Sequence, residues 1–168
     1  MFTSIQKFLL QVLGVICAIV FAVLVIDVLF AVVMRHFFEQ PAWTEELARL
    51  LLVWLAILGG VLAYAADRHL GVDVLLARFD TKTQGWAQIV SHLMVLGFAV
   101  GVLLIGGWQL FSERLDSGQM MPALGVPRAW FYFVLPVGGF LIMFLAIEKI
   151  LLSLAAVREG SNEKEVAS

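Results

Sequence analysis

Three ionisable residues, Glu45, Glu46 and Arg49, open an apolar run that continues beyond Trp54. Arg49 follows Glu45 by four positions and Glu46 by three, so either carboxylate can pair with the guanidinium on one face of a helix. Acidic residues in the first turn of a helix are also favoured by the helix dipole. Local helix chemistry accounts for these charges, and a contact with another protein accounts for them equally well.

The segment before this cluster predicts where the helix begins. Pro41 prevents a helix from running in from the preceding residues, and Thr44 is predicted as the N-cap. Trp43 is typical of an anchor at a membrane interface. Glu46 and Arg49 then lie at or below the headgroup level, where charge is costly unless it is paired. A docking surface for another membrane protein is therefore the functional hypothesis for this end of the helix.

Asp27 is the one acid well inside the first apolar run. An acid within a membrane span is a candidate functional group, able to carry a proton or an ion. It can also form a hydrogen bond with a neighbouring helix. The hydrogen bond is the favoured role, because the sequence shows no second acid at similar depth.

The histidines His36, His69 and His92 allow a haem hypothesis. A bis-histidine haem needs two imidazoles at matched depth on facing helices. Here one histidine is predicted outside the membrane, one at the opposite edge, and one about two turns inside a span, so the depths do not match. The sequence shows no pattern for metal binding, nucleophilic catalysis or phosphate binding. We therefore predict no catalytic residues, no metal site, no cofactor in this chain and no enzyme activity.

The composition identifies the solvent of these groups. The chain has 168 residues, of which 62% are apolar and 14% charged, against about 25% charged in a soluble domain. Its mean hydropathy is +0.98. A soluble domain of this length cannot bury so much apolar surface, so the bilayer is the expected solvent. The net charge of -2 gives no indication of nucleic-acid binding, and the single cysteine, Cys17, cannot form an internal disulfide.

Four apolar runs are long enough to cross the hydrocarbon core, which needs about 20 residues. They predict an all-α protein with one four-helix membrane domain over residues 1–155 and a polar cytoplasmic tail at 156–168. Seven lysines and arginines lie on the side of both termini and four on the other, so both termini are predicted to be cytoplasmic. The spans cover about 8–34, 47–66, 86–111 and 129–153.

The segment between the second and third spans predicts a further helix. In residues 71–80, Val72, Leu75, Leu76 and Phe79 fall on one helical face. The segment is too short to cross the membrane, so we expect a short amphipathic helix in the plane of the cytoplasmic interface. An ordinary connecting loop is the alternative.

The segment from Met120 to Pro127 cannot form a regular helix. It carries two prolines and Gly125, which favour a stiff extended or turn conformation. A rigid, half-apolar loop on the periplasmic side suits a protein contact, although a plain re-entry turn is the alternative. Inside the spans, the GxxxG motif of Gly97 and Gly101 is interpreted as a site of close helix packing. The glycine pairs at 59–60, 106–107 and 138–139 are interpreted in the same way.

These motifs together carry a family resemblance. The first comprises Trp43, Glu45, Glu46 and Arg49, with Trp54. His69 and Asp73 follow within the sequence HLGVD. The third motif consists of Met121, Pro122, Ala123, Gly125 and Pro127, with Trp130, Tyr132 and Pro136. With these three motifs, the chain resembles the small membrane subunit, the Q or DctQ-like subunit, of tripartite ATP-independent periplasmic (TRAP) transporters.

The resemblance implies a function in the bacterial inner membrane. Such a subunit scaffolds the large (M) membrane subunit, which couples transport to sodium and holds the sodium and substrate sites. It also helps to dock the periplasmic substrate-binding (P) protein for organic acid uptake. The expected partners are those two proteins and membrane lipid. The alternatives are a stand-alone four-span transporter using Asp27 and a haem-binding membrane anchor.

The resemblance also implies two sets of contact residues. The candidates for the binding-protein contact are Met121, Pro122, Ala123 and Pro127. The candidates for the interface with the large subunit are Trp43, Glu45, Glu46, Arg49, Trp54, His69 and Asp73.

Overall fold

The computed structural model describes residues 2–39, 41–66 and 81–166, and the side chains of residues 8–39, 41–66 and 86–154. Four helical segments in this part of the chain are long and apolar enough to cross a membrane. This confirms the predicted four-span, all-α architecture. The predicted interfacial helix at residues 71–80, together with His69 and Asp73, lies outside the described residues.

The third span is interrupted in its middle, because a π-helical segment with a wider backbone turn separates two α-helices. The last helix contains Pro136 and continues well beyond the predicted end of the fourth span. The elements are α1 (Phe2–Phe37), α2 (Ala42–Ala65), α3 (Thr81–Phe98), the π segment (Ala99–Gly106), α4 (Gly107–Asp116) and α5 (Ala129–Val166).

The start of α2 differs from the prediction. Pro41, not Thr44, occupies the N-cap position, and no side chain caps the helix there. Thr44 lies within the first turn, and its buried hydroxyl donates a hydrogen bond of 2.8 Å to the carbonyl oxygen of Pro41. Pro41 has the extended backbone of an N-cap residue, with φ of -67° and ψ of 132°, so α2 begins earlier and places Trp43 and Thr44 inside it.

The spans pack as a row. Helix α1 packs on α2, α2 packs on α5, and α5 packs on the third span formed by α3, the π segment and α4. Two apolar clusters lie along the row. Val61 and Tyr64 of α2 pack with Leu145 and Ala146 of α5. The second cluster joins three helices through Cys17, Leu58 and Val134.

Close approach of α5 to its neighbours depends on glycines of the predicted 106–107 and 138–139 pairs and not on the GxxxG motif. A Cβ atom on Gly107 would lie 2.7 Å from the Cβ of Leu135, and one on Gly139 would lie 2.8 Å from the backbone nitrogen of Leu104. By contrast, a Cβ atom on Gly97 or Gly101 meets nothing within 4 Å. The interpretation of the GxxxG motif as a packing site within the chain is therefore wrong.

Candidate docking site at the loop end of the helices

The end of α1, the start of α2 and the connection at residues 117–128 lie at the same end of the helices, which we call the loop end. The second connection folds into a compact turn. The backbone N–H of Met121 donates to the oxygen of Val126, and that of Gly125 donates to the oxygen of Met121, each at 2.8 Å. Gly125 has a φ of 67°, which a residue without a Cβ atom adopts at little cost. The prediction of a turn conformation here is confirmed.

Glu46 holds this turn against α2. Its Oε2 atom accepts hydrogen bonds from the backbone N–H groups of Ala123 and Leu124, each at 3.1 Å. An ionised acceptor strengthens such bonds relative to a neutral one. The carboxylate therefore links two parts of the chain that lie 77 residues apart, and the predicted pairing of Glu46 with Arg49 is not what the structure shows.

Arg49 pairs instead with Glu45. The Nη2 atom of Arg49 lies 3.3 Å from Oε2 of Glu45, in the (i, i+4) geometry that the sequence predicts. The side chains are 73% and 59% exposed. An ion pair so exposed contributes little to stability, because water and salt screen it. Both groups are thus available for other contacts at small cost.

Two tryptophans fix α2 to its neighbours at this end. The indole Nε1–H of Trp54 donates a hydrogen bond of 3.2 Å to the carbonyl oxygen of Trp130, near the start of α5. The ring of Trp43 stacks on Phe30 of α1 with a centroid separation of 5.7 Å. Both tryptophans belong to the predicted interface set, and within this chain they join α2 to α5 and to α1.

The turn presents its contact candidates unequally. Pro122 and Ala123 are exposed, and Pro127 is half-buried. Met121 is 4% exposed, so it supports the turn from inside. A protein that touches the turn would therefore meet Pro122 and Ala123 before Met121.

A concave pocket of about 360 Å³ lies beside the turn. Its walls come from the first turns of α2, from the turn itself and from the start of α5. This pocket was not predictable from the sequence, because Arg49 and Arg128 belong to segments far apart in the chain. The pocket is lined by Glu46, Arg49, Met121, Arg128, Phe131 and Tyr132.

Asp27 lies between α1 and α2, at the edge of a separate groove of about 200 Å³. The residue is 5% exposed. Neither of its carboxylate oxygens has a hydrogen-bond partner among the side chains and backbone groups that the structure describes. The favoured hydrogen bond to a neighbouring helix is thus not present in the described part of the chain.

Sequence reasoning missed a polar cluster at the other end of the helices. The Tyr64 hydroxyl and the Nδ1 atom of His92 are 3.1 Å apart and buried. The Nζ atom of Lys149 donates to the backbone oxygen of Tyr64 at 2.5 Å and lies 4.5 Å from the centre of its ring. Lys149 was counted as a flanking charge, but it is 8% exposed. The cluster joins α2, α3 and α5.

The candidate haem residues do not converge in the described region. His92 belongs to the cluster just described, and His36 lies at the loop end with its ring against Phe37 at 5.0 Å. Among the described residues, no group of three or more histidine, cysteine or acidic side chains is placed to hold a metal ion.

Comparison with known proteins gives a consistent result. Residues 24–156 match the family model described as the DctQ component of tripartite ATP-independent periplasmic transporters. A putative TRAP transporter small permease protein of Haemophilus influenzae is 28% identical over 161 residues, which cover 95% of this chain and 98% of that protein.

Two further relatives carry more specific names. The sialic acid TRAP transporter small permease protein SiaQ of Vibrio cholerae is 27% identical over 117 residues, or 69% of this chain and 66% of that protein. The isethionate TRAP transporter permease protein DctMQ of Oleidesulfovibrio alaskensis is 33% identical over 98 residues. These cover 56% of this chain and 15% of that protein.

Proposed function

We propose, since the chain belongs to the DctQ family of tripartite ATP-independent periplasmic transporter components, that it scaffolds a large sodium-coupled permease subunit. It is a small permease subunit with four apolar spans. On this proposal it lies in the bacterial inner membrane with the loop end in the periplasm. There it helps to dock a substrate-binding protein for the uptake of an organic acid.

Two features of the structure support the proposal: the turn at residues 117–128, which Glu46 holds in place, and the broad apolar faces of the helices beside it. Between 11% and 28% of the most apolar stretch of each span is buried within the chain, so most of the helix surface is available to lipid or to another membrane protein. The polar groups of α2 at the loop end shape the turn and an open surface. This arrangement supports adhesion to a partner more than passage of a solute.

At the proposed interface with the large subunit, we assign the direct polar contact to Arg49. Its exposed guanidinium is held by one weak pair, whereas Glu46, Trp43 and Trp54 are engaged within the chain. Co-purification of the large subunit with the variant Arg49→Glu tests the assignment. We expect loss of the complex, with Arg35→Glu as the control on the neighbouring helix. An undiminished complex with full transport activity would contradict the assignment.

The turn is the proposed contact for the binding protein. Pro122 and Ala123 are exposed at its tip, and the bonds from Glu46 keep them in one conformation before any partner arrives. A photo-cross-linker at position 123 should capture the binding protein during transport. The same group at position 86, where Trp86 is 60% exposed near the other end of the third span, should not. Equal capture at the two positions, or none at 123, would refute this contact.

We further propose that His69 and Asp73, besides being interface candidates, set the angle between α2 and the segment that follows it. The double variant His69→Ala, Asp73→Ala should weaken the fold or the complex with the large subunit. An unchanged thermal unfolding temperature together with an intact complex would count against this role.

One observation favours a second candidate function, self-sufficient transport. The carboxylate of Asp27 is buried and has no hydrogen-bond partner among the described residues, and an acid within a span is able to carry a proton or an ion. Reconstitution of the purified chain alone in liposomes separates the two functions. The scaffold proposal requires no solute uptake by the chain alone. Uptake by the chain alone that disappears in the variant Asp27→Asn would refute the scaffold proposal and support self-sufficient transport.

A further inference from the structure

We propose that the pocket between Arg49 and Arg128, which we call the arginine pocket, binds the phosphate group of a membrane phospholipid. Arg49 lies in α2 and Arg128 immediately before α5, so the two guanidiniums approach the pocket from different segments. The pocket volume of about 360 Å³ is open to the surroundings of the helices. The proposal does not depend on the transporter role.

The charges of the arginine pocket suit a singly charged anion. Arg128 forms no side-chain hydrogen bond or ion pair with any residue that the structure describes. Arg49 has one pair, at 3.3 Å, to Glu45 on its exposed side. Glu46 supplies a negative charge, but its Oε2 atom already accepts two backbone N–H groups. The lining thus carries one net positive charge, which matches the single negative charge of a phosphodiester.

The position of the pocket identifies the source of that anion. Tyr132 lines the pocket, and Trp130, which is 51% exposed, lies two residues before it in the first turn of α5. Exposed tryptophan and tyrosine side chains concentrate at the depth of lipid headgroups. At this depth the phosphate of a phospholipid is the abundant anion.

The polar and apolar groups that line the pocket fit a phospholipid as well. Guanidinium groups bind phosphate through paired, charge-assisted hydrogen bonds, and the Tyr132 hydroxyl can add another. The rings of Phe131 and Tyr132 and the side chain of Met121 give apolar walls that suit glycerol and the first acyl carbons. An acidic side chain of a partner protein could satisfy the arginines but would leave these apolar walls to be filled by further groups.

The test measures lipid binding to the full chain in detergent by native mass spectrometry, during titration with dioleoylphosphatidylglycerol. We expect one lipid to bind with a defined affinity. The double variant Arg49→Gln, Arg128→Gln should bind it about tenfold more weakly or worse, because charge-assisted hydrogen bonds are lost. The charge-conserving variant Arg49→Lys, Arg128→Lys should retain part of the affinity. It keeps the result interpretable if the glutamine variant fails to fold.

The control variant is Arg35→Gln, because Arg35 lies at the same end of the helices but lines the separate groove beside Asp27. It should bind the lipid as the unmodified chain does. Equal weakening by Arg35→Gln would overturn the proposal in favour of general charge attraction. Equally tight binding of dioleoylglycerol would overturn the role of phosphate.

Two further outcomes would assign the pocket to another ligand. Complete displacement of the lipid by millimolar inorganic phosphate would show that the pocket binds a free anion and not a lipid. If the glutamine variant retains the lipid but loses the large subunit, the pocket is a protein contact and the proposal is wrong. Loss of the large subunit in that variant would agree with the assignment of Arg49 to the subunit interface. Displacement by phosphate does not bear on the scaffold role, which co-purification and liposome assays test separately.

Discussion

The two hydrogen bonds between Glu46 and the turn give the sharpest prediction, because the hydrogen-exchange rate can be measured at both donor amides. In the variant Glu46→Ala, the backbone N–H groups of Ala123 and Leu124 lose an ionised acceptor at 3.1 Å. Hydrogen bonds to charged groups contribute about 1.5 to 3 kcal/mol each. Since both bonds lie near the surface, we expect a combined loss of about 2 to 3 kcal/mol in the opening free energy of the turn.

The measurement is hydrogen–deuterium exchange of the purified chain, resolved at those two amides. A loss of about 2 to 3 kcal/mol corresponds to exchange that is about 30 to 150 times faster. Glu46→Gln retains a neutral acceptor and should give a smaller effect, about tenfold. Glu45→Gln removes the same charge from the same helical turn without touching the loop, and should leave both rates within about twofold.

Unchanged exchange at both amides in Glu46→Ala would show that Glu46 does not stabilise the turn. Equal acceleration in Glu45→Gln would show that the effect comes from the electrostatic field of the helix end and not from the two hydrogen bonds. Exchange at Met121 serves as an internal reference, since its N–H donates within the turn. It should accelerate only as far as the whole turn opens.

Two further predictions concern packing and the buried cluster, both measured by thermal unfolding in detergent. Gly138→Ala places a Cβ against Ile57 and should destabilise the chain by about 1 to 3 kcal/mol. By contrast, Gly97→Ala enters open space within a helix and should leave stability unchanged or raise it by up to about 1 kcal/mol. Similar shifts in the two variants would contradict the packing described. Tyr64→Phe removes the buried hydroxyl that meets His92 at 3.1 Å and should cost about 1 to 3 kcal/mol. An unchanged unfolding temperature would show that this hydrogen bond contributes nothing.

The architecture was predictable because the bilayer sets the length of a span. Each of the four apolar runs is at least as long as the hydrocarbon core requires, so hydropathy located them without knowledge of their packing. The start of α2 was less predictable. Thr44 has the side chain of an N-cap residue, but Pro41 lies three positions earlier and has a backbone already suited to helix entry. The proline determines where the helix begins.

The contacts between spans could be predicted only in part, because the sequence offered several glycine sites and the structure uses the pairs at 106–107 and 138–139. The GxxxG pattern of Gly97 and Gly101 is visible in the sequence, but whether a glycine faces another helix depends on how the helices rotate about their axes. In the structure, Gly107 and Gly139 face neighbouring helices, whereas a Cβ atom on Gly97 would meet nothing within 4 Å.

The site was predicted in part. The sequence singled out Glu46 and Ala123 separately, each as a contact for a different partner protein. It could not show that they bind each other, because 77 residues separate them and nothing local specifies the pairing. Lys149 was misjudged for a related reason. A lysine at the end of an apolar run usually extends to the interface, but here the backbone oxygen and ring of Tyr64 receive it inside the protein.

The row of spans described above has a consequence for how the polypeptide is assembled during insertion. Helices α1 and α2 form one hairpin of sequence neighbours, and the third span and α5 form another through the contact of Gly107 with Leu135 and Pro136. Each hairpin can therefore complete its own contacts as it leaves the ribosome. The two hairpins are then joined by the packing of α2 on α5. Hydrogen bonds of Glu46 and Trp54 stabilise this packing at the loop end, and the bond from Lys149 to Tyr64 stabilises it at the other end.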